Sequence, residues 1–404
     1  MKQERPFART RGIVPIARLW PLFTLFVLFC GHHENPAEPD GAPSIVISSP
    51  AEGDTLSPVG FRVIGSAADP EGIASIRVEL DGVEMGAASQ SPFNVYVPSL
   101  LFEDGAEMEV TVRAEDGGGV TGTKKVTVFL RAIRFSKLAS AGDQADTERE
   151  PSWSPDGASI AFVSEGDGGN RDIWTTAVSA GAAARITDSP NEDRSPDWAP
   201  FGSVIAFASD RSGNWDIWTV GTSGGAATQV TTNGSHDRGP AWSSSGTSIA
   251  FHSIRDGNWN IYTMPMSGGS AAGVAEQRTS AASAESSAVW TPNGSSLVFT
   301  GNQNGGLDLW SVTPPSLTLV AVPGGNDPAA REVDPEYAPG GRLLVYAYYR
   351  NGNWDLWALD PATGDKKIVT NHFASDLEPA WSPDGTRIAF ASDRDGTFDI
   401  WVLE

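Results

Sequence analysis

A single cysteine, Cys30, occurs in the whole chain, so no intramolecular disulfide can form and stability must come from core burial. Basic residues are scarce: 28 Lys and Arg face 50 Asp and Glu, a formal net charge of −22. That balance lacks the basic footprint that nucleic acid or an anionic lipid surface requires, and excludes both as partners. Long stretches with the period of an amphipathic helix are hard to find. What the sequence has in abundance is turn chemistry and tryptophan. Forty-four Gly, 28 Pro and 14 Trp in 404 residues, with no collagen period, predict a turn-rich all-β protein of two or three units.

The first thirty residues read as a targeting segment. Lys2, Arg5, Arg9, Arg11 and Arg18 form a basic n-region, and Leu19 to Phe29 is an apolar h-region too short to span a bilayer comfortably. Val27-Leu28-Phe29-Cys30 at its end resembles a bacterial lipoprotein lipobox. That resemblance implies cleavage before Cys30, lipidation of Cys30, and a secreted chain in the bacterial cell envelope that meets the membrane only through its anchor. Removal of residues 1–29 would take the formal charge to about −26. Residues 31–43 are polar and Pro-rich and read as a tether, in which His32 and His33 are solvated.

Residues 44–131 alternate apolar and polar positions in short runs such as SIVISSP, IRVELDG and MEVTVRAEDGGG. The pattern predicts a β-sandwich of about seven strands. The segment resembles the bacterial Ig-like domains of surface and envelope proteins. Asp69, Glu71, Glu115 and Asp116 could form a calcium site, although acids at such turns also serve the turns themselves.

Beyond residue 132 the sequence repeats with a period near 45. Trp153, Trp198, Trp242, Trp290, Tyr337 and Trp381 recur at spacings of 45, 44, 48, 47 and 44. A second series, Trp174, Trp218, Tyr262, Trp310, Trp357 and Trp401, marks the same six units. Such a period is the signature of propeller blades. Each unit reads as a W-S-P-D-G start, an apolar second strand such as SIAFVS, a D-I-W third strand, and a Thr- or Val-rich edge. The last unit stops after its third strand, and residues 133–140 (IRFSKLAS) supply the missing fourth. The termini would then close the ring and remove its open edges. The expected fold is all-β, a six-bladed β-propeller at residues 132–404 preceded by the Ig-like sandwich.

The W-S-P-D-G, I-A-F-x-S-D-R and D-I-W motifs resemble the WD40-like (PD40) repeats of TolB, the periplasmic propeller of the Tol-Pal envelope system. The resemblance covers about 270 residues. It implies the fold more than the activity, because similar blades serve scaffolds, peptidase gating domains and polysaccharide lyases. The chain also departs from TolB, whose additional N-terminal domain is α/β.

Five units carry an acid three residues before a proline: Glu148 and Pro151, Asp193 and Pro196, Asp237 and Pro240, Glu332 and Pro335, Asp376 and Pro379. The loops between second and third strands carry Arg211, Arg255, Arg350 and Arg394 at matching positions. In a propeller both sets of loops open on one face. They read either as carboxylate–arginine pairs joining adjacent blades or as a charged funnel around the channel. Glu150, Glu192, Asp334 and Glu378 lie in the same loops, partly offset by Arg149, Arg194 and Arg238. The candidate binding set is therefore Glu150, Glu192, Asp193, Asp237, Asp334, Asp376 and Glu378 with Arg211, Arg255, Arg350 and Arg394. A negative mouth that attracts a basic segment is the expectation.

The remaining motifs read as structure. Gly221-Thr222-Ser223-Gly224-Gly225 matches a nucleophile elbow, but it occupies a hairpin loop rather than a strand-to-helix turn, so Ser223 is not expected to react. TolB-like oligogalacturonate lyases hold a divalent metal with several histidines in the channel. Here only His236 and His372 occupy comparable loops, and His252 falls on a second strand. Asp393, Asp395 and Gly396 lack the further ligands of a calcium loop. Trp215, Trp259 and Trp354, with Phe398 and Leu307, pack between blades or line the rim. No catalytic constellation, metal site or cofactor is expected. The expected function is a non-catalytic envelope lipoprotein that binds an envelope protein or basic peptide. The alternative is a carbohydrate-binding protein or metal-dependent polysaccharide lyase that uses the channel.

Overall fold

In the computed structural model, residues 41–102, 105–138, 147–165, 169–179 and 182–404 are described, and every regular element among them is a β-strand. The segment read as a leader, Cys30, His32, His33 and most of the segment read as a tether lie outside these residues, as do residues 139 and 140 at the end of the expected closing strand.

The first eight strands are β1 (Ser44–Ser49), β2 (Thr55–Leu56), β3 (Gly60–Ala68), β4 (Ile73–Leu80), β5 (Val83–Ala88), β6 (Phe93–Pro98), β7 (Glu107–Asp116) and β8 (Thr121–Leu130). They form a three-stranded sheet β1-β3-β6 and a five-stranded sheet β2-β8-β7-β4-β5. The count is eight rather than about seven because the two-residue β2 pairs in parallel with β8 at the sheet edge. The alternation seen in sequence is the alternation in space. Val63, Val97, Ile76, Val78, Leu80, Val110, Val112 and Val128 are fully buried between the sheets.

After β9 (Phe135–Lys137) come the blades. Blade one is β10 (Glu148–Trp153), β11 (Ser159–Ser164), β12 (Asp172–Ala177) and β13 (Ala184–Arg185). Blade two is β14 (Asp193–Trp198), β15 (Val204–Ser209), β16 (Asp216–Gly221) and β17 (Thr228–Gln229). Blade three is β18 (Asp237–Trp242), β19 (Ser248–Ser253), β20 (Asn260–Ser267) and β22 (Glu276–Gln277), with β21 (Ser270–Ala271) folding back on an extended β20. Blade four is β23 (Glu285–Trp290), β24 (Leu297–Gly301), β25 (Asp308–Val312) and β26 (Val320–Ala321). Blade five is β27 (Arg331–Tyr337), β28 (Leu344–Arg350), β29 (Asn353–Leu359) and β30 (Lys366–Ile368). Blade six is β31 (Asp376–Trp381), β32 (Ile388–Ser392), β33 (Asp399–Leu403) and, from the other end of the propeller, β9.

One aromatic ring per blade lies at the same place on the second strand: Phe162, Phe207, Phe251, Phe299, Tyr346 and Phe390, all fully buried. Each sits opposite the third-strand aromatic of its own blade, Phe162 facing Trp174 and Phe390 facing Trp401. The apolar second strands are thus covered on both faces, which explains why they read as continuous hydrophobic runs.

Closure takes the expected route. Trp401, Val402 and Leu403 pair with Lys137, Ser136 and Phe135. Lys137 stands opposite Trp401 as Arg185 stands opposite Trp174 in blade one. In both blades the cation reaches the buried Asp that starts the third strand: Lys137 Nζ lies 2.7 Å from Asp399, and Arg185 lies 2.5 Å from Asp172. Leu138, nearly buried, joins the core between blades six and one.

The sandwich docks on blades five and six. Val59, Tyr96 and Leu100 share a core with Ala338, Leu343, Trp381 and Ile388. The Tyr96 hydroxyl donates to the Gly385 carbonyl at 2.8 Å, and the ring lies where any side chain at residue 385 would stand. The Gly of that W-S-P-D-G turn, at φ 75°, therefore serves the turn and the interface together.

Candidate functional site

The repeating acids and arginines do meet, but not as a funnel. Arg211 binds both carboxylate oxygens of Asp193 at 2.9 and 2.7 Å, Arg255 binds both of Asp237 at 2.9 and 2.8 Å, and Arg394 binds Asp376 at 2.9 Å. All three acids are fully buried. Each pair ties the first strand to the loop after the second strand of the same blade, so the pairs lock hairpins and do not join adjacent blades. Asp193, Asp237 and Asp376 thus present no charge to a partner. In blade five the matching Glu332 is buried and accepts the Asp327 amide, while Arg350 is exposed at the end of β28. Blade four, which lacks the proline, keeps the acid: Glu285 receives Gln303 in the arginine's place.

What faces the axis is set by a feature invisible in the motif. Each first strand breaks register with its second strand at the same point, a β-bulge. The residue at each break has positive φ: Glu150 57°, Ser195 52°, Gly239 59°, Ser287 50°, Asp334 52° and Glu378 54°. Five of these six left-handed residues are not glycine, a repeated strain sustained because the surrounding ring fixes them. This residue and the one two positions later line a central cavity of about 290 Å³. The upper ring is Glu150, Ser195, Gly239, Ser287, Asp334 and Glu378. The lower ring is Ser152, Asp197, Ala241, Val289, Glu336 and Ala380.

Here acids do join blades. Glu378 of blade six accepts Arg149 at 2.7 and 3.2 Å and the Glu150 amide at 2.8 Å, both from blade one. Glu150 accepts the Ser195 amide at 2.5 Å, and Asp197 accepts the Trp242 amide at 2.5 Å. Ser287 donates to Asp334 at 2.9 Å. Glu336 accepts no hydrogen bond among the described residues. It is half-buried, on the wall of the cavity.

Five carboxyl groups thus converge with one paired cation, Arg149. Burial, reinforced by Glu378, pushes Glu150 up to about 7. Burial raises Asp197 to about 7 against its two donors, and raises Asp334 to about 6 with help from Glu378. Glu336 is pushed up to about 8 by burial and by the charge of Asp197 on the opposite blade. The cluster is therefore partly protonated at neutral pH and holds an unmet demand for positive charge.

Outside the cavity the mouth carries both signs. Glu192 pairs with Arg194 at 2.9 Å and Arg171 at 3.4 Å on the rim. Arg238 stacks 4.5 Å over Trp215, and Arg149 4.4 Å over Phe398. Trp259 meets His252 edge-on at 5.1 Å, and Trp354 packs 5.0 Å from Tyr349. These repeated aromatics are half-buried shelves at the rim. Of the sequence-selected set, Glu150, Asp334 and Glu378 reach the channel, and Glu192 reaches its rim. Asp197 and Glu336 were missed; the signal was an acid immediately after the repeating proline, at 197 and 336 only.

The other candidates resolve into local contacts. His236 accepts the Trp215 amide and His372 the Ala374 amide, both at 3.2 Å, while His252 is packed on Trp259 and held at about 4 by burial. Among the described residues no group of three His, Cys, Asp or Glu is arranged to hold a metal. Ser223 is exposed in the turn between β16 and β17. Asp393 accepts the Ser375 amide at 2.8 Å, and in the sandwich Asp69 and Asp116 cap their own turns.

The TolB beta propeller domain family matches residues 121–313 and 326–404. The chain belongs to the TolB β-propeller family. A bacterial Ig domain family matches residues 43–100. Among solved structures, a TolB-type protein from Agrobacterium tumefaciens is 19% identical over 67% of this chain and 96% of its own, with a TM-score of 0.53. A gluconolactonase from Xanthomonas campestris is 13% identical over 67% of this chain and 89% of its own, with a TM-score of 0.50. An oligogalacturonate lyase from Vibrio parahaemolyticus is 12% identical over 68% and 97%, with a TM-score of 0.46. Likeness at these identities establishes the fold alone. A comparison with curated proteins finds no match.

Proposed function

We propose that this protein is a non-catalytic binding scaffold of the bacterial cell envelope, lipid-anchored through Cys30, that receives a basic segment of a partner protein at the channel mouth. The observation that carries this reading is the convergence of Glu150, Asp197, Asp334, Glu336 and Glu378 on one cavity, where Arg149 is ion-paired to Glu378. Such a low-dielectric funnel of one sign focuses its field outward and raises the local concentration of cations. The hairpin-locking pairs do not contribute, since their charges cancel inside the blades.

The test is capture of partners from cross-linked envelopes, and then a salt titration of the purified pair. Binding is expected to weaken steadily between low and high ionic strength. Glu192→Lys, on the rim, should weaken capture while leaving the fold intact. Glu378→Lys should weaken capture too, but with a lower melting temperature, because Glu378 joins blade six to blade one. Affinity that ignores both salt and Glu192→Lys would move the partner site away from the mouth.

A further inference from the structure

We infer that the lower ring is a receptor for a primary alkylammonium group on an unbranched chain, held between Asp197 and Glu336. This rests on the reading of the channel as a cation-receiving site and names the chemistry it would recognise.

The two carboxyl groups come from blades two and five, on opposite sides of a six-membered ring, and the charge of Asp197 acts on Glu336. Between them the wall is Ala241 and Val289 on one side and Ala380 and Ser152 on the other; the methyl groups suit methylenes, and the Ser152 hydroxyl is already engaged by Asp197 and the Trp198 amide. Asp197 already holds the Trp242 amide and Ser152 hydroxyl, at 2.5 and 3.3 Å. Of these two acids, Glu336 accepts no hydrogen bond among the described residues. Calcium needs six to eight oxygen ligands, more than this ring supplies. A guanidinium needs a carboxylate presented sideways to its planar fork, whereas an ammonium is a compact point charge on a flexible stem. Two facing acids separated by a largely apolar wall match the second shape.

The upper ring reinforces the choice. Glu150, Asp334 and Glu378 lie two residues nearer the mouth, about 6–7 Å along the axis at the usual strand rise. A second nitrogen four methylenes from the first would reach that level. The charged groups facing the ligand are Glu150 and Arg149 from β10, Asp197 and Arg194 from β14, Asp334 and Glu336 from β27, and Glu378 from β31. An entering ammonium favours the ionised form of Glu336, so binding near neutral pH should release a proton from the cluster and tighten as pH rises from 6 to 8.

Titration calorimetry of the full chain in two buffers of different ionisation heat tests this, with butane-1,4-diamine, a lysine pentapeptide, an arginine pentapeptide and calcium chloride as probes. The diamine, the lysine peptide or both should bind with proton release, and the arginine peptide roughly tenfold or more weakly, a difference of about 1.4 kcal/mol. Binding of the diamine alone would assign the site to a free polyamine, and binding of the peptide to a lysyl side chain. Glu336→Gln should reduce amine binding by at least about tenfold without lowering the melting temperature, because it removes an unpartnered buried acid. Equal affinity for lysine and arginine peptides, amine binding that survives Glu336→Gln, or calcium binding in place of amine binding would each overturn the inference. If salt-sensitive partner capture persists in Glu336→Gln while no amine binds the parent, this inference fails and the scaffold reading stands.

Discussion

Replacing Lys137 by Ala probes the ring closure at one side chain. Lys137 lies in the last strand to be added, 2.7 Å from Asp399 and 3.5 Å from Asp395. The Asp399 side chain is only 5% exposed, so losing the ammonium leaves a buried carboxylate without its cation. Breaking a buried pair in this way costs about 3–5 kcal/mol. Lys137 is itself 31% exposed, and water entering the vacancy would offset part of the loss, so about 2–3 kcal/mol is expected here. For a propeller of this size that corresponds to a fall of roughly 3–6 °C in melting temperature. Burial tends to lower the Lys137 ammonium, but Asp399 and Asp395 more than offset it and hold it above its usual range. The contribution is therefore fully present at neutral pH and is lost only as pH rises beyond that raised value, so scans at pH 7 and 8.5 should agree on the deficit. Asp399→Asn in the Lys137→Ala background should recover most of it. A Lys137→Ala protein that melts within about a degree of the parent would refute the argument that this pair secures the closing strand.

Three further outcomes are expected. Because Glu150, Asp197, Asp334 and Glu336 all have raised values in the folded state, their contribution to stability is present below about pH 4.5 and declines as pH rises through 6 to 8; thermal scans should show that slope, flattened in Glu336→Gln. Gly239→Ala should destabilise the propeller by about 1–3 kcal/mol, read from urea unfolding, since its methyl would enter a positive-φ site 2.7 Å from His252 Cε1. Cys30→Ser should move the protein from the membrane fraction to the soluble one, as judged by fractionation and blotting.

The architecture was legible because each blade repeats the same local solution. A Trp start, a run of buried apolar residues and a D-I-W strand recur six times at one period, and stacking such copies buries the runs on both faces. Closure was legible too, since a unit lacking its fourth strand and a stray strand upstream of the first unit complete one another. The carboxylate–arginine repeat was legible as pairing between adjacent blades or as a funnel, whereas Asp193, Asp237 and Asp376 meet Arg211, Arg255 and Arg394 inside their own blades.

Which carboxylates face the channel was decided only by the tertiary structure. Strand alternation places residues two apart on one face, but the bulge inserts a left-handed residue into every first strand and re-aims the side chains beyond it. The bulge is braced across blades by carboxylates that accept amides of the neighbouring blade, as Glu150 accepts Ser195 and Glu378 accepts Glu150. Asp193 therefore turns into its own hairpin, while Asp197, four residues later in the same strand, looks across the axis at Glu336. The sequence determined that six blades would form and close. Their mutual contacts determined that five acids would share one cavity.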